Sequence, residues 1–213
     1  RPNVTLVNVA NDPIESITAD GIKTREQTFP LDVLVLATGF DAITGAIAAI
    51  DVRNGDQSLR EKWAVGAKAY LGVLTAGFPN LFMVNGPGSP SVLGNVIATI
   101  EQHVEFLRDI IEFAERTDAA SVSVDADRET DWMDHVQDVA KGTLFMKANS
   151  WYLGSNIDGK PRMMLPYTGG LHNFRTLCSD IAARDFDTFL FERTDALANW
   201  TAGRTETPQG GVP

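Results

Sequence analysis

Residues 33–36, the VLVL inside LDVLVLATGF, form a continuous, β-branched-rich apolar run. A strand that is apolar on both faces suits the middle of a parallel sheet covered on both sides. The run ends in Ala37-Thr38-Gly39. Small residues at the carboxyl end of such a strand let backbone approach a ligand closely, and ligands of open α/β sheets sit at that edge. A tight turn that needs Gly39 accounts for the same tripeptide. The expected class is therefore α/β, with the strand end at Thr38 and Gly39 as a candidate place for a ligand to approach.

The rest of the chain divides by periodicity. Residues 4–9 alternate as a strand does, and Asp20-Gly21 marks the turn of a hairpin or meander. Two strand-like pieces flank Gly77-Phe78-Pro79-Asn80, and LFMV reads as a buried strand. Leu93, Ile97, Ile100, Val104, Leu107, Ile111 and Ala114 recur at alternating steps of four and three, one buried stripe of a long helix. Ser91 is its expected N-cap, after Pro90. A second helix is expected over residues 127–141, closed by Gly142, with Trp132, Val136 and Val139 inward; a third is expected over 171–183. A short strand follows over 186–191, and the residues from Thr194 onward read as a frayed tail.

Between LFMV and the long helix lies NGPGSPSVLGN, residues 85–95. A glycine- and proline-rich entry to a helix N-terminus is expected to present unpaired N–H groups and a partial positive charge. Such an end favours an anion, whether a phosphate or the charged edge of a reduced flavin, and the physics does not choose between them. A purely structural helix entry is the alternative. SWYLGSNIDGK, residues 150–160, carries a loop Trp and a Lys. Together these could hold a nucleotide by stacking and charge, or the Trp could plug a core.

Composition excludes several classes. The chain has 213 residues and a formal net charge of −10, which argues against non-specific binding to nucleic acid or to an anionic membrane surface. No apolar run approaches the roughly 18 residues of a membrane span. Cys178 is the only cysteine, so no intrachain disulfide or cysteine-based metal site can form; a cytoplasmic home is expected. His103, His135 and His172 are scattered, each expected at the surface or capped, and suggest no metal set. The acidic run around residues 125–138 reads as a solvated helix face. Neither GxGxxG nor GxxxxGK[ST] occurs, so the phosphate-cradling part of a dinucleotide site is missing from this chain.

Taken in order, LDVLVLATGFDAITG, EKWAVGAKAYLGVLTAGFPNLFMVNGPGSPSVLGN, IEQHVEF and SWYLGSNIDGKPR closely resemble the C-terminal part of a Baeyer–Villiger monooxygenase, of the phenylacetone and cyclohexanone monooxygenase type. The likeness runs from Arg1 to about Phe191. It implies a protein with an NADP domain inserted into an FAD domain. Residues 1–38 would end the NADP domain, 39–193 would form the C-terminal segment of the FAD domain, and 194–213 a flexible tail. The implied chemistry uses NADPH, FAD and O2 to insert one oxygen next to a ketone carbonyl, giving an ester or lactone. By the same resemblance Ser91, Val92 and Leu93 shape the substrate pocket, while Gly86, Asn95 and Val96 lie against the flavin. Val96 stands where the family often has Met. Trp151 closes over NADP, Lys160 supports that loop, and Thr38 and Gly39 lie near the cofactors. No catalytic residue is carried over, because the family's glycine motifs and essential arginine would precede Arg1. The chain is expected to be a fragment that binds FAD poorly alone. A nitrogen- or sulfur-oxidising relative and a non-catalytic flavoprotein fragment are the alternative readings. The ketone and the oligomeric state are not encoded legibly.

Overall fold

The computed structural model describes residues 1–90 and 94–193. The expected tail from Thr194 onward lies outside the described residues. The described chain falls into two units, Arg1–Gly39 and Phe40 onward. In the first, β1 (Ile14–Thr18), β2 (Gly21–Thr24) and β3 (Thr28–Pro30) form an antiparallel meander in that order. Asp20-Gly21 makes the first turn, as expected. Gly21 has φ +152°, and a Cβ there would stand 2.0 Å from the Phe29 carbonyl oxygen, so only glycine fits. The buried Asp12 carboxylate anchors the sheet, accepting from Thr24 Oγ1 at 2.7 Å and the Glu26 amide at 2.9 Å.

Neither expected long strand forms in this unit. Residues 4–9 and 33–36 have no ladder partner among the described residues, and Leu6, Val33, Val35 and Leu36 are 71–93% exposed. A strand is a property of a pair: the apolar pattern at 33–36 specifies a covered strand only where a sheet exists to receive it.

The second unit begins with α1 (Gly45–Ala49), the two-residue strands β4 (Arg53–Asn54) and β5 (Gln57–Ser58), and α2 (Leu59–Trp63). Residues 69–84 pass through the core with only an isolated Tyr70–Leu74 bridge, so the two strand-like pieces and the LFMV strand are not found. Leu71, Val73 and Leu74 are nonetheless fully buried, and their apolarity reports burial rather than extension.

The long helix α3 spans Val96–Arg116. Its N-cap is Asn95, not Ser91; the Asn95 side chain accepts from Ile97 N at 3.0 Å and more weakly from Ala98 N at 3.5 Å. The helix is also rotated relative to expectation. Thr99, His103, Phe106, Leu107, Ile110 and Ala114 face inward, whereas Ile97, Val104 and Ile111 are exposed. Two apolar stripes compete on this helix, and the inner one contains a threonine and a histidine that an apolarity count passes over.

Next come β6 (Ala119–Ser123), α4 (Ala126–Lys141, capped by Asp125 and ended at Gly142), two short 3-10 turns (Leu144–Lys147 and Trp151–Leu153), α5 (Leu171–Ala183) and β7 (Leu190–Arg193). The final strand is later than the expected 186–191; Phe186 and Phe189 instead fill the core from a turn. β6 pairs antiparallel with β7, and Asn80 (φ +60°) covers its other edge. The Asn80 amide donates to Val122 O at 2.9 Å, and its side chain accepts from Val122 N at 2.8 Å. Helices α3, α4 and α5 pack around one core that includes Trp132, Met133, Val136, Phe174 and Ile181.

Candidate functional site

The loop at residues 85–90 is fixed by close backbone approaches. Gly86 N donates to Gly72 O at 3.0 Å, and a Cβ on Gly86 would lie 2.8 Å from that oxygen. Gly88 has φ +83°, donates to Leu165 O at 2.7 Å and accepts from Trp132 Nε1 at 3.2 Å. A Cβ on Gly88 would meet Trp132 Nε1 at 2.5 Å. Ser89 N donates to Gly86 O at 3.2 Å, and Ser89 O accepts from Tyr167 N at 2.8 Å. Asn85, also left-handed at φ +58°, donates its amide to His103 Nδ1 at 2.8 Å.

The N–H groups of Asn85, Gly86, Gly88 and Ser89 are therefore taken up within the protein, which corrects the expectation that this loop offers them to a ligand. Its glycines serve packing against Gly72 and Trp132. An exposed surface remains just beyond: a methyl group placed on Gly94 would have no neighbour within 4 Å, and Asn95, Val96 and Ile97 at the start of α3 are exposed. The Asn95 side-chain oxygen is committed to its own helix, so what Val96 and Ile97 present outward is mainly apolar surface at a helix N-terminus. Ser91, Val92 and Leu93 lie outside the described residues.

His103 corrects another expectation. It is fully buried, 5.4 Å from the Phe174 ring, and burial pushes its pKa down to about 4. His135 and His172 are exposed. Glu129, in the acidic run read as solvated, is buried too. It accepts from Lys62 Nζ at 2.8 and 2.9 Å, Thr75 Oγ1 at 2.7 Å and Ala76 N at 2.9 Å. Burial lowers the Lys62 pKa, with the Glu129 carboxylate opposing that shift. Cys178 is buried and its thiol is pushed up to about 12, which makes it inert as a nucleophile. Among the described residues no group of three His, Cys, Asp or Glu side chains could hold a metal, and no helix is long and apolar enough to cross a membrane.

Trp151 sits on a 3-10 turn, 36% exposed, with its ring 4.2 Å from that of Tyr152. It does not plug a core. Lys160 closes the same loop: its ammonium pairs with Asp41 and donates to Thr44 Oγ1 at 2.7 Å, while Asn156 Nδ2 reaches Phe40 O at 3.0 Å. A cavity of about 320 Å³ opens beside it, walled in part by Trp63, Met163 and Leu165. Among the described residues no hydrogen bond or ring contact joins Trp151 or Lys160 to Gly86, Asn95 or Val96. Thr38 and Gly39 are exposed and belong to the first unit. Asp41, Thr44, His103 and Glu129 were not legible as site-building residues, because their partners lie 18 to 119 positions away.

No family model matches the chain. It is 37% identical over 191 residues to the phenazine N-monooxygenase of Lysobacter antibioticus, covering 89% of this chain and 35% of that protein. Acetone monooxygenase (methyl acetate-forming) of a Gordonia species is 36% identical over 192 residues, covering 89% and 36%. Among solved structures, the closed form of cyclohexanone monooxygenase superposes with a TM-score of 0.86 at 39% identity, covering 91% of this chain and 36% of that one. The complex of OTEMO with FAD and NADP gives 0.82 at 32% identity, covering 90% and 35%. The chain spans about a third of the length of the relatives it matches. Over nine-tenths of its own length, it corresponds to the C-terminal portion of the Baeyer–Villiger and related flavin monooxygenases.

Proposed function

We propose that this chain serves a flavin monooxygenase that uses NADPH and O2 to insert one oxygen beside a ketone carbonyl, yielding an ester or lactone. The observation that carries the reading is the likeness, over nine-tenths of the chain, to acetone and cyclohexanone monooxygenases. The shape of the site supports it. An exposed apolar step at Val96 and Ile97, set at the N-terminus of a 21-residue helix, suits one edge of a flat ring that becomes negatively charged on reduction. FAD would supply the redox and oxygen chemistry, and NADPH the electrons.

The role of this chain is to bind and orient. Gly86 and the residues around it give the helix entry its fixed path, Asn95 and Val96 face the flavin, and Ser91, Val92 and Leu93 line the ketone pocket. Trp151 covers the nicotinamide nucleotide from a loop that Lys160 anchors through Asp41 and Thr44. Thr38 and Gly39 lie near the cofactors. We assign residues 1–38 to the end of an NADP domain, 39–193 to an FAD-domain segment and 194–213 to a tail. The exposed run at 33–36 and the outer stripe Ile97, Val104 and Ile111 fit surfaces that further polypeptide covers. A cytoplasmic, membrane-free setting agrees with the acidic balance and the single buried thiol.

Nitrogen oxidation is the second reading, favoured by the likeness to the phenazine enzyme. The test is substrate-dependent NADPH consumption by the polypeptide that carries this sequence, across aryl, cyclic and linear ketones and aromatic N-heterocycles. Stimulation by ketones supports the first reading, and stimulation by heterocycles alone transfers it to the second.

A further inference from the structure

Asn85 heads the loop in a left-handed conformation that side-chain-bearing residues rarely adopt, and its amide points into the core. The group that receives it is His103 Nδ1, 2.8 Å away on the third turn of α3. A backbone N–H can only donate, so Nδ1 must carry a lone pair, and a neutral imidazole then holds its proton on Nε2. We propose that His103, held as the Nε2–H tautomer, is the positioning residue of the 85–90 loop: it locks the path of that loop by accepting from the Asn85 amide.

Several observations agree. His103 is fully buried, and among the described residues its Nε2 has no hydrogen-bond partner, so the bond seen to anchor the ring is the one at Nδ1. The Phe174 ring packs against the imidazole, 5.4 Å away and tilted by 59°. Beyond Asn85 the loop continues through the bonds of Gly86 to Gly72 and Gly88 to Leu165, so the direction in which the chain leaves residue 85 sets all that follows. An aliphatic side chain at 103 would leave the part-buried Asn85 amide without its acceptor. The lock itself stands on geometry alone; its consequence for oxygen transfer rests on the function proposed above.

The test uses the polypeptide that carries this sequence, with nitrogen-labelled histidine, and the variants H103N and H103L. The Asn side-chain oxygen falls close to the place of Nδ1, so H103N keeps the acceptor, whereas H103L removes it. The proposal expects a pyridine-like Nδ1 and a protonated Nε2 in the native protein. It expects Asn85 amide exchange to be accelerated at least about tenfold in H103L and restored towards the native rate in H103N. A protonated Nδ1, or equal exchange in the two variants, overturns it. In the flavin-loaded enzyme, H103L should raise the NADPH oxidised per ester formed, and H103N should not. If the exchange pattern holds while no ketone is oxidised by any variant, the lock stands and the proposed function falls.

Discussion

Removing the ammonium of Lys62 while keeping its stem, as Lys62→Met does, isolates the charge of Glu129. That carboxylate is 3% exposed and sits where α2, α4 and the 75–76 backbone meet. Breaking a buried ion pair from one side costs about 3–5 kcal/mol, because the remaining charge is uncompensated. Here Thr75 Oγ1 and Ala76 N still donate to it, which places the expected loss near the lower end, about 3 kcal/mol. Adding Glu129→Gln removes the stranded charge. Its amide oxygen can still accept from Thr75 and Ala76, so K62M/E129Q should lie only about 1 kcal/mol below the native protein. The second substitution thus restores stability lost in the first. Urea unfolding followed by tryptophan fluorescence reads both, with Trp63 and Trp132 buried nearby. A K62M loss under about 0.5 kcal/mol, or a double variant less stable than K62M, would refute the claim that an uncompensated carboxylate dominates.

Acid should act through His103. Its folded-state pKa of about 4 lies below the ordinary 6.5, so between those values the unfolded chain binds more protons. The His103 contribution is then complete above about pH 6.5 and is lost as pH falls toward 4, by at most about 3 kcal/mol; chemical denaturation across that range should show the slope, and H103N should lack it. Gly88→Ala should cost about 2 kcal/mol in the same assay, since φ is +83° and the new methyl meets Trp132 Nε1 at 2.5 Å. Lys160→Met should change global stability by less than about 1 kcal/mol, Asp41 being partly exposed, yet speed limited proteolysis of the 150–161 loop and raise KM for NADPH more than it lowers kcat.

What could be read from the sequence was whatever local chemistry decides. The third helix, Leu171–Ala183, follows its expected bounds, and α4 begins one residue early at an Asp125 cap and ends at Gly142. Asp20-Gly21 turns the meander because only glycine fits beside Phe29 O. What failed was decided by partners distant in sequence. The inward face of α3 is set by what α5 and the 83–89 segment offer, so buried Thr99 and His103 displaced the more apolar Ile97 and Val104. Gly86 and Gly88 stand out in the sequence, but the partners that fix them within the protein do not: these are Gly72, and Trp132 forty-four residues on, which no local pattern announces. Glu129 looks solvated among acidic neighbours, and only the fold brings Lys62 to it. Residues 33–36 show the converse: the pattern specifies a strand, and no described residue pairs with it.

The account comes down to whether oxygen ends beside a carbonyl. Incubating the flavin-loaded polypeptide that carries this sequence with NADPH, a panel of aryl, cyclic and linear ketones and isotopically labelled O2, then analysing the products by mass spectrometry, tests this directly. The account predicts an ester or lactone carrying one labelled oxygen between the carbonyl carbon and its former neighbour. Unchanged ketone beside a labelled N-oxide from a competing aromatic heterocycle would contradict it.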